Sequence, residues 1–163
     1  MDRRKYPSYP IIGVGGVIFQ EEQVLLIKRA KEPNLGQWSI PGGAVKTGET
    51  LREALLREVR EETHLEVEIL GLAKIFDRIV RSSQGRVTYH YVLADYVCRY
   101  RSGELQSDSD AQEARFVSLQ DLSSYPIPAH TLEVIKWADY LRKNTPMLSS
   151  LSRVEGFPDK IFF

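Results

Sequence analysis

From Ile11 to Phe19 the chain is apolar at every position (IIGVGGVIF), and Gln23 to Lys28 resumes the pattern after the polar Gln20-Glu21-Glu22. Short apolar runs rich in Val and Ile, bounded by a polar turn, predict two strands joined as a hairpin. Residues 32–36 (EPNLG) read as a loop. Trp38-Ser39-Ile40 then predicts a short strand that delivers Pro41-Gly42-Gly43, a turn whose glycines let backbone carbonyls and amides approach a ligand. From Thr50 to His64 the period changes: at about 100° per residue, Leu51, Ala54 and Leu55 fall in one arc of an amphipathic helix. Thr50 stands three residues ahead of Glu53, the spacing of a capping box. Alternation returns from Val67 to Val80 and from Arg86 to Tyr100, predicting two long strands joined by 81–85 (RSSQG). In the second strand Tyr89 and Tyr91 face one way and His90 the other, so either face is a candidate lining for a pocket. Ala114 to Val117 predicts a short strand, Ser118 to Leu122 a turn, and Ala129 to Lys143 a packing helix carrying Leu132, Ile135, Trp137 and Leu141.

The first helix breaks its own pattern. Glu58 and Glu62 fall in the same arc as the apolar residues, and Glu61 lies at its edge. Like charges three and four apart repel by a few tenths of a kcal/mol at a surface, and by much more once they leave water. Arg57, four residues before Glu61 and four after Glu53, orients a carboxylate without neutralising the group. Carboxylate oxygens with few or no His or thiolate partners suit magnesium or manganese, and magnesium commonly shares its ligands with phosphate. The plainer alternative is a solvated helix face laced with ion pairs. Acids that continue the apolar stripe instead of opposing it favour the cation.

Gly43, five residues, Glu49, seven residues, then Arg57-Glu58-Val59-Arg60-Glu61-Glu62 resembles the signature of the Nudix hydrolases. That resemblance implies an α/β fold, a Nudix-type α/β/α sandwich with a mixed central sheet. It also implies metal-dependent hydrolysis of a nucleoside diphosphate linked to another group, X. Carried over by position, Glu58, Glu61, Glu62 and the Gly42 carbonyl would hold Mg2+ or Mn2+, and Arg57 with Glu49 would form an orienting ion pair. The general base is left open among Glu62, Glu113 and Glu49, with Glu62 preferred; relatives often place an extra carboxylate near Glu113. Arg29, Gly43 and His90 are the candidate substrate contacts. One position departs from the signature, whose closing glycine is His64 here. His tolerates positive φ better than most residues, so the substitution bears on the helix end more than on the acids. The stretches GVGGVIF, DRIV, VTYHYVLADY and EARFVSLQDL are most similar to the ADP-ribose pyrophosphatase branch, implying ADP-ribose or a nucleotide sugar as substrate. A nucleoside triphosphate pyrophosphatase is the runner-up. A non-catalytic nucleotide sensor is the alternative of another class, and the intact acids argue against it.

Length and composition narrow the partners. At 163 residues one domain is expected, spanning residues 1–144, with 145–163 as a tail. Formal net charge is zero, so no electrostatic case exists for nucleic acid or a membrane surface, and the substrate is expected to be a small nucleotide. A single cysteine, Cys98, no signal-like opening and no apolar run of about 20 residues together predict a cytoplasmic protein. Phe157, Phe162 and Phe163 make the tail apolar enough to dock on the domain or on a second subunit of a homodimer, while disorder is the ordinary state of a terminus.

Overall fold

The computed structural model describes residues 4–32, 34–108 and 110–145. Strand β1 (Ile11–Gln20) turns back into β2 (Gln23–Arg29), and short strands β3 (Trp38–Ser39) and β4 (Gly42–Ala44) precede helix α1 (Leu51–Thr63). The long strands β5 (Glu66–Arg81) and β6 (Val87–Ser102), strand β7 (Ala111–Ser118) and helix α2 (Ala129–Asn144) complete the order. Among the described residues seven strands form one mixed sheet with the path β3-β2-β1-β6-β5, β4 pairing with β1 and β7 with β2. β1 runs parallel to β6, and the remaining pairs are antiparallel.

The unbroken apolar run of β1 has a structural cause: both faces of this strand are covered, as happens when helices flank a sheet. Val14 and Ile18 join Leu25, Ala54, Leu55 and Val59 in a core under α1. Val17 and Phe19 join Val24, Leu26, Val134, Ile135 and Ala138 in a second core under α2. Gly16 lets α1 approach closely, since a Cβ there would sit 3.2 Å from the Leu55 side chain. Sequestering a side chain such as Leu55, fully buried, is worth about 1.5–3 kcal/mol.

α1 begins where its cap predicts. The Glu53 N–H donates to Thr50 Oγ1 at 3.2 Å and the Thr50 N–H donates to Glu53 Oε2 at 2.8 Å, which satisfies two amide donors at the helix start. It ends at His64, which adopts the left-handed conformation (φ 60°) while its N–H donates to the Arg60 carbonyl. The two glycines of the Pro-Gly-Gly segment belong to a strand instead of a free turn, and Pro41 precedes them in a bend. Gly42 and Gly43 pair with Gly15 and Val14, because residues with no side chain let two backbones meet edge to edge. β7 starts three residues earlier than expected, so Glu113 lies inside the strand opposite Lys28 and not ahead of it. No helix among the described residues is long and apolar enough to cross a membrane. Residues 146–163 of the expected tail lie outside the described residues.

Candidate active site

Where β4 meets β1, the sheet and α1 enclose one end of a cavity of about 320 Å³. Gly42, Gly43, Glu58 and Glu62 line it, with Lys46, Arg29 and Asp110 nearby on its wall. The far wall is built from Phe76 and Arg78 of β5, from Tyr91, Leu93 and Asp95 of β6, and from His130 and Thr131 at the start of α2.

The acids of α1 are graded in depth. Glu62 is buried at 3% exposure, and the Gly42 N–H donates to its Oε2 at 2.9 Å. Burial pushes its carboxyl up to about 8; the Gly42 N–H and Arg29 pull against this, while Glu58 and Asp110 add to it. Glu58 is half-buried, and loss of water raises its carboxyl too, against the pull of Arg57. Glu61 is exposed and does not line the cavity. Gly43 brings the strand against Glu58: a Cβ there would lie 2.4 Å from the Glu58 carboxyl carbon.

Arg57 ties the loop to the helix. Its Nε and Nη2 donate to the two oxygens of Glu49 at 2.5 and 2.9 Å, a bidentate pair, and Nη2 also donates to the Ala44 carbonyl at 3.1 Å. Nη1 donates to Glu58 Oε1 at 2.6 Å and to Glu61 Oε2 at 3.2 Å. The Arg57 guanidinium, helped by the Lys46 N–H, holds the Glu49 carboxyl down at about 2. Glu49 points at Arg57 and is not among the residues of the cavity wall.

Two expected contacts lie elsewhere. His90 is absent from the cavity wall and sits 4.0 Å from Asp77; the alternation of β6 sends Tyr91, Leu93 and Asp95 into the cavity and turns His90 away. Tyr89, on the same side as Tyr91, is buried and stacks on it with ring centroids 6.2 Å apart. Glu113 is also outside the wall. It pairs with Lys28 at 3.1 Å and Arg115 at 2.7 Å, because the β2–β7 register sets it opposite Lys28 while a bulge at Lys28/Arg29 shifts the next pair. The acid just ahead of β7 that does line the cavity is Asp110, whose backbone carbonyl accepts from the Ala30 N–H at 2.9 Å. Of the expected residues the cavity therefore gathers Arg29, Gly42, Gly43, Glu58 and Glu62. Asp95, which the motif does not cover, still has a signal in the sequence: a lone carboxylate inside the apolar run VLADYV.

Among the described residues no three His, Cys, Asp or Glu side chains already converge as a ligand set. Glu58 and Glu61 lean on Arg57, and Glu62 on the Gly42 amide. The donors themselves fit a hard divalent cation, since all are oxygen, and the buried Glu62, bonded by the neutral Gly42 amide with Arg29 acting through space, is held largely out of water.

Residues 10–138 match the family profile of the NUDIX domain. The chain belongs to the Nudix family. A relative, the ADP-ribose pyrophosphatase of Methanocaldococcus jannaschii, is 35% identical over 143 residues, which cover 86% of this chain and 80% of that protein. The low-salt glycan biosynthesis protein Agl8 of Haloferax volcanii is 32% identical over 66% of this chain and 70% of its own. Among solved structures, a MutT Nudix hydrolase from Burkholderia pseudomallei superposes with a TM-score of 0.70 at 28% identity, covering 80% of this chain and 98% of that one. The Nudix domain of Shewanella oneidensis NrtR, crystallised with ADP ribose, has a TM-score of 0.66 at 22% identity over 82% of this chain and 89% of that one, and shows the shared fold. This Nudix chain is accordingly a hydrolase, a pyrophosphohydrolase by class.

Proposed function

We propose that this Nudix hydrolase cleaves the pyrophosphate linkage of a nucleoside diphosphate joined to X, with ADP-ribose or a nucleotide sugar as substrate, releasing a nucleoside monophosphate and phosphoryl-X. The observation that carries the reading is the juxtaposition of Glu58 and Glu62 with Arg29, Lys46 and Arg78 around one cavity floored by Gly42 and Gly43. The name of the Methanocaldococcus relative supports the substrate class. Glu58, Glu61, Glu62 and the Gly42 carbonyl would hold magnesium or manganese, which, when bound, supplies neutralising charge for the phosphates and lowers the pKa of the attacking water. Arg29, Lys46 and Arg78 bring positive charge to phosphate oxygens, and the Arg57–Glu49 pair fixes the loop against α1. Glu62 is favoured as proton acceptor. It lies on the cavity wall, whereas the Glu49 carboxylate is taken up by Arg57 and lies off that wall. Glu113 is disfavoured because it pairs with Lys28 and Arg115 and does not line the cavity. The reading carries with it a cytoplasmic, small-molecule role for a domain spanning residues 1–144.

The test is magnesium-dependent release of phosphatase-sensitive product from a panel of ADP-ribose, nucleotide sugars and nucleoside triphosphates. ADP-ribose or a nucleotide sugar is expected to turn over fastest, yielding a nucleoside monophosphate. Faster turnover of triphosphates would transfer the assignment to a triphosphate pyrophosphatase. A folded protein silent on every member would be a nucleotide sensor.

A further inference from the structure

The far end of the cavity holds a carboxyl that the hydrolytic reading does not use. Asp95 is 5% exposed and lines the cavity. Lys74, its cross-strand neighbour, acts on it only through space and bonds Glu133 at 2.8 Å. The site is built around this group. Opposite it in the parallel pair stands Gly15, where a Cβ would lie 2.3 Å from Asp95 Oδ1 and 2.9 Å from the Ile40 side chain. Any larger residue at Gly15 would displace the carboxyl or close the space beside it. The surrounding wall is apolar and aromatic: Leu93, Ile40 and Phe76, the last tilted against His130 with ring centroids 6.5 Å apart. A carboxyl shielded from bulk water but open to a cavity is placed to hydrogen bond a ligand that enters it.

The register supplies the distance. Gly15 pairs with Gly42 on one side and Asp95 on the other, so Asp95 lies two strand spacings, roughly 10 Å, from the glycine that holds Glu62. That is about the reach from a 5′-phosphate across a ribose to the edge of a base. We propose that Asp95 selects the nucleobase by hydrogen bonding the exocyclic amino group of adenine, with the base lodged among Phe76, Leu93 and Ile40. This inference rests on the nucleotide reading above. Burial holds the Asp95 carboxyl up at about 7, so near neutral pH it can present a C=O acceptor beside an O–H donor. Adenine's amino donor beside its ring nitrogen acceptor satisfies both.

The test is direct binding by the full chain, using two mononucleotides that differ only in the amino group: AMP and purine riboside 5′-phosphate. Titration calorimetry of the native protein should show AMP binding about tenfold tighter, the worth of one buried hydrogen bond. Asp95→Ala should erase that preference. Asp95→Asn, which keeps an acceptor oxygen and a donor in the same shape, should retain it. Both variants should melt no lower than the native protein above pH 7, since each removes a buried uncompensated acid. Equal affinities in the native protein, an undiminished preference in Asp95→Ala, or no binding of AMP at millimolar concentration would each overturn the assignment. Loss of preference in Asp95→Ala alongside no hydrolysis of ADP-ribose would leave the base subsite standing and remove the hydrolytic reading. The reverse pair of results would remove only the subsite.

Discussion

At the scale of single residues, Glu62 concentrates the energetics of the site. Its carboxyl titrates near 8 in the folded chain and near the ordinary carboxylate value, about 4.5, once unfolded. Between those values the folded state holds a proton that the unfolded chain has lost, so the stability it confers is full at low pH and fades as pH rises through 8. Forcing it to ionise without a cation costs on the order of 5 kcal/mol. Urea titrations in the presence of chelator should therefore show stability falling from pH 5 to pH 8.5, and Glu62→Gln should flatten much of that slope; an unchanged slope would remove Glu62 as its source. Glu113 makes the opposite case. It is partly exposed and paired with Lys28 and Arg115, so Glu113→Gln should leave turnover within about twofold and barely move stability. A hundredfold fall in kcat would return it to the machinery. Both residues are acids at motif-like positions, yet only Glu62 lies on the cavity wall. Glu62 follows from a helix period of known angle, whereas the direction of Glu113 depends on a strand register and a bulge at Lys28/Arg29, which are long-range properties with no local signature.

At the scale of elements, α1 was legible almost to the residue because cap, period and closing position all agree: Thr50 caps it, Thr63 ends it, and His64 takes the left-handed turn. The Pro-Gly-Gly segment was not, since glycines that free a turn equally permit a strand where a second glycine-bearing strand faces them. His64 tests how much the helix end depends on its residue. A side chain in the left-handed region costs roughly 1 kcal/mol or more, part of which a glycine returns through the greater entropy of its unfolded chain. The His64–Asp108 contact of 3.2 Å lies in solvent and recovers little. His64→Gly should thus stabilise the protein by about 0.5–1 kcal/mol, seen as a rise of roughly 1–4 °C in Tm by scanning calorimetry. Activity should persist, because His64 is not part of the cavity wall. A large loss of turnover without that rise would assign His64 to the reaction.

At the scale of the whole molecule, one strand joins two cores. β1 contributes Val14 and Ile18 to the core under α1, which carries Glu58 and Glu62, and Val17 and Phe19 to the core under α2, whose first turn brings His130 and Thr131 to the cavity. The sandwich was legible in the family signature and in a β1 too apolar for a sheet with one wet face. Which side chains of β6 enter the cavity was not, because alternation fixes only that neighbours point apart and leaves the facing to the parallel pairing with β1. Shared support implies shared stability. Leu55 and Ile135 are fully buried in different cores, so Leu55→Ala and Ile135→Ala should each cost about 2–5 kcal/mol. With no neighbours in common within those cores, the two losses should add to within about 0.5 kcal/mol in the double mutant, measured in urea. If β1 couples the halves, fluorescence from Trp38, which packs in the α2 core, and the helical circular dichroism signal should lose native character at the same denaturant concentration in both single mutants. Separate transitions, with Trp38 unmoved while Leu55→Ala melts α1, would show that the acid-bearing helix can detach from an intact sheet, and its side of the cavity would then have to be treated as an independently folding unit.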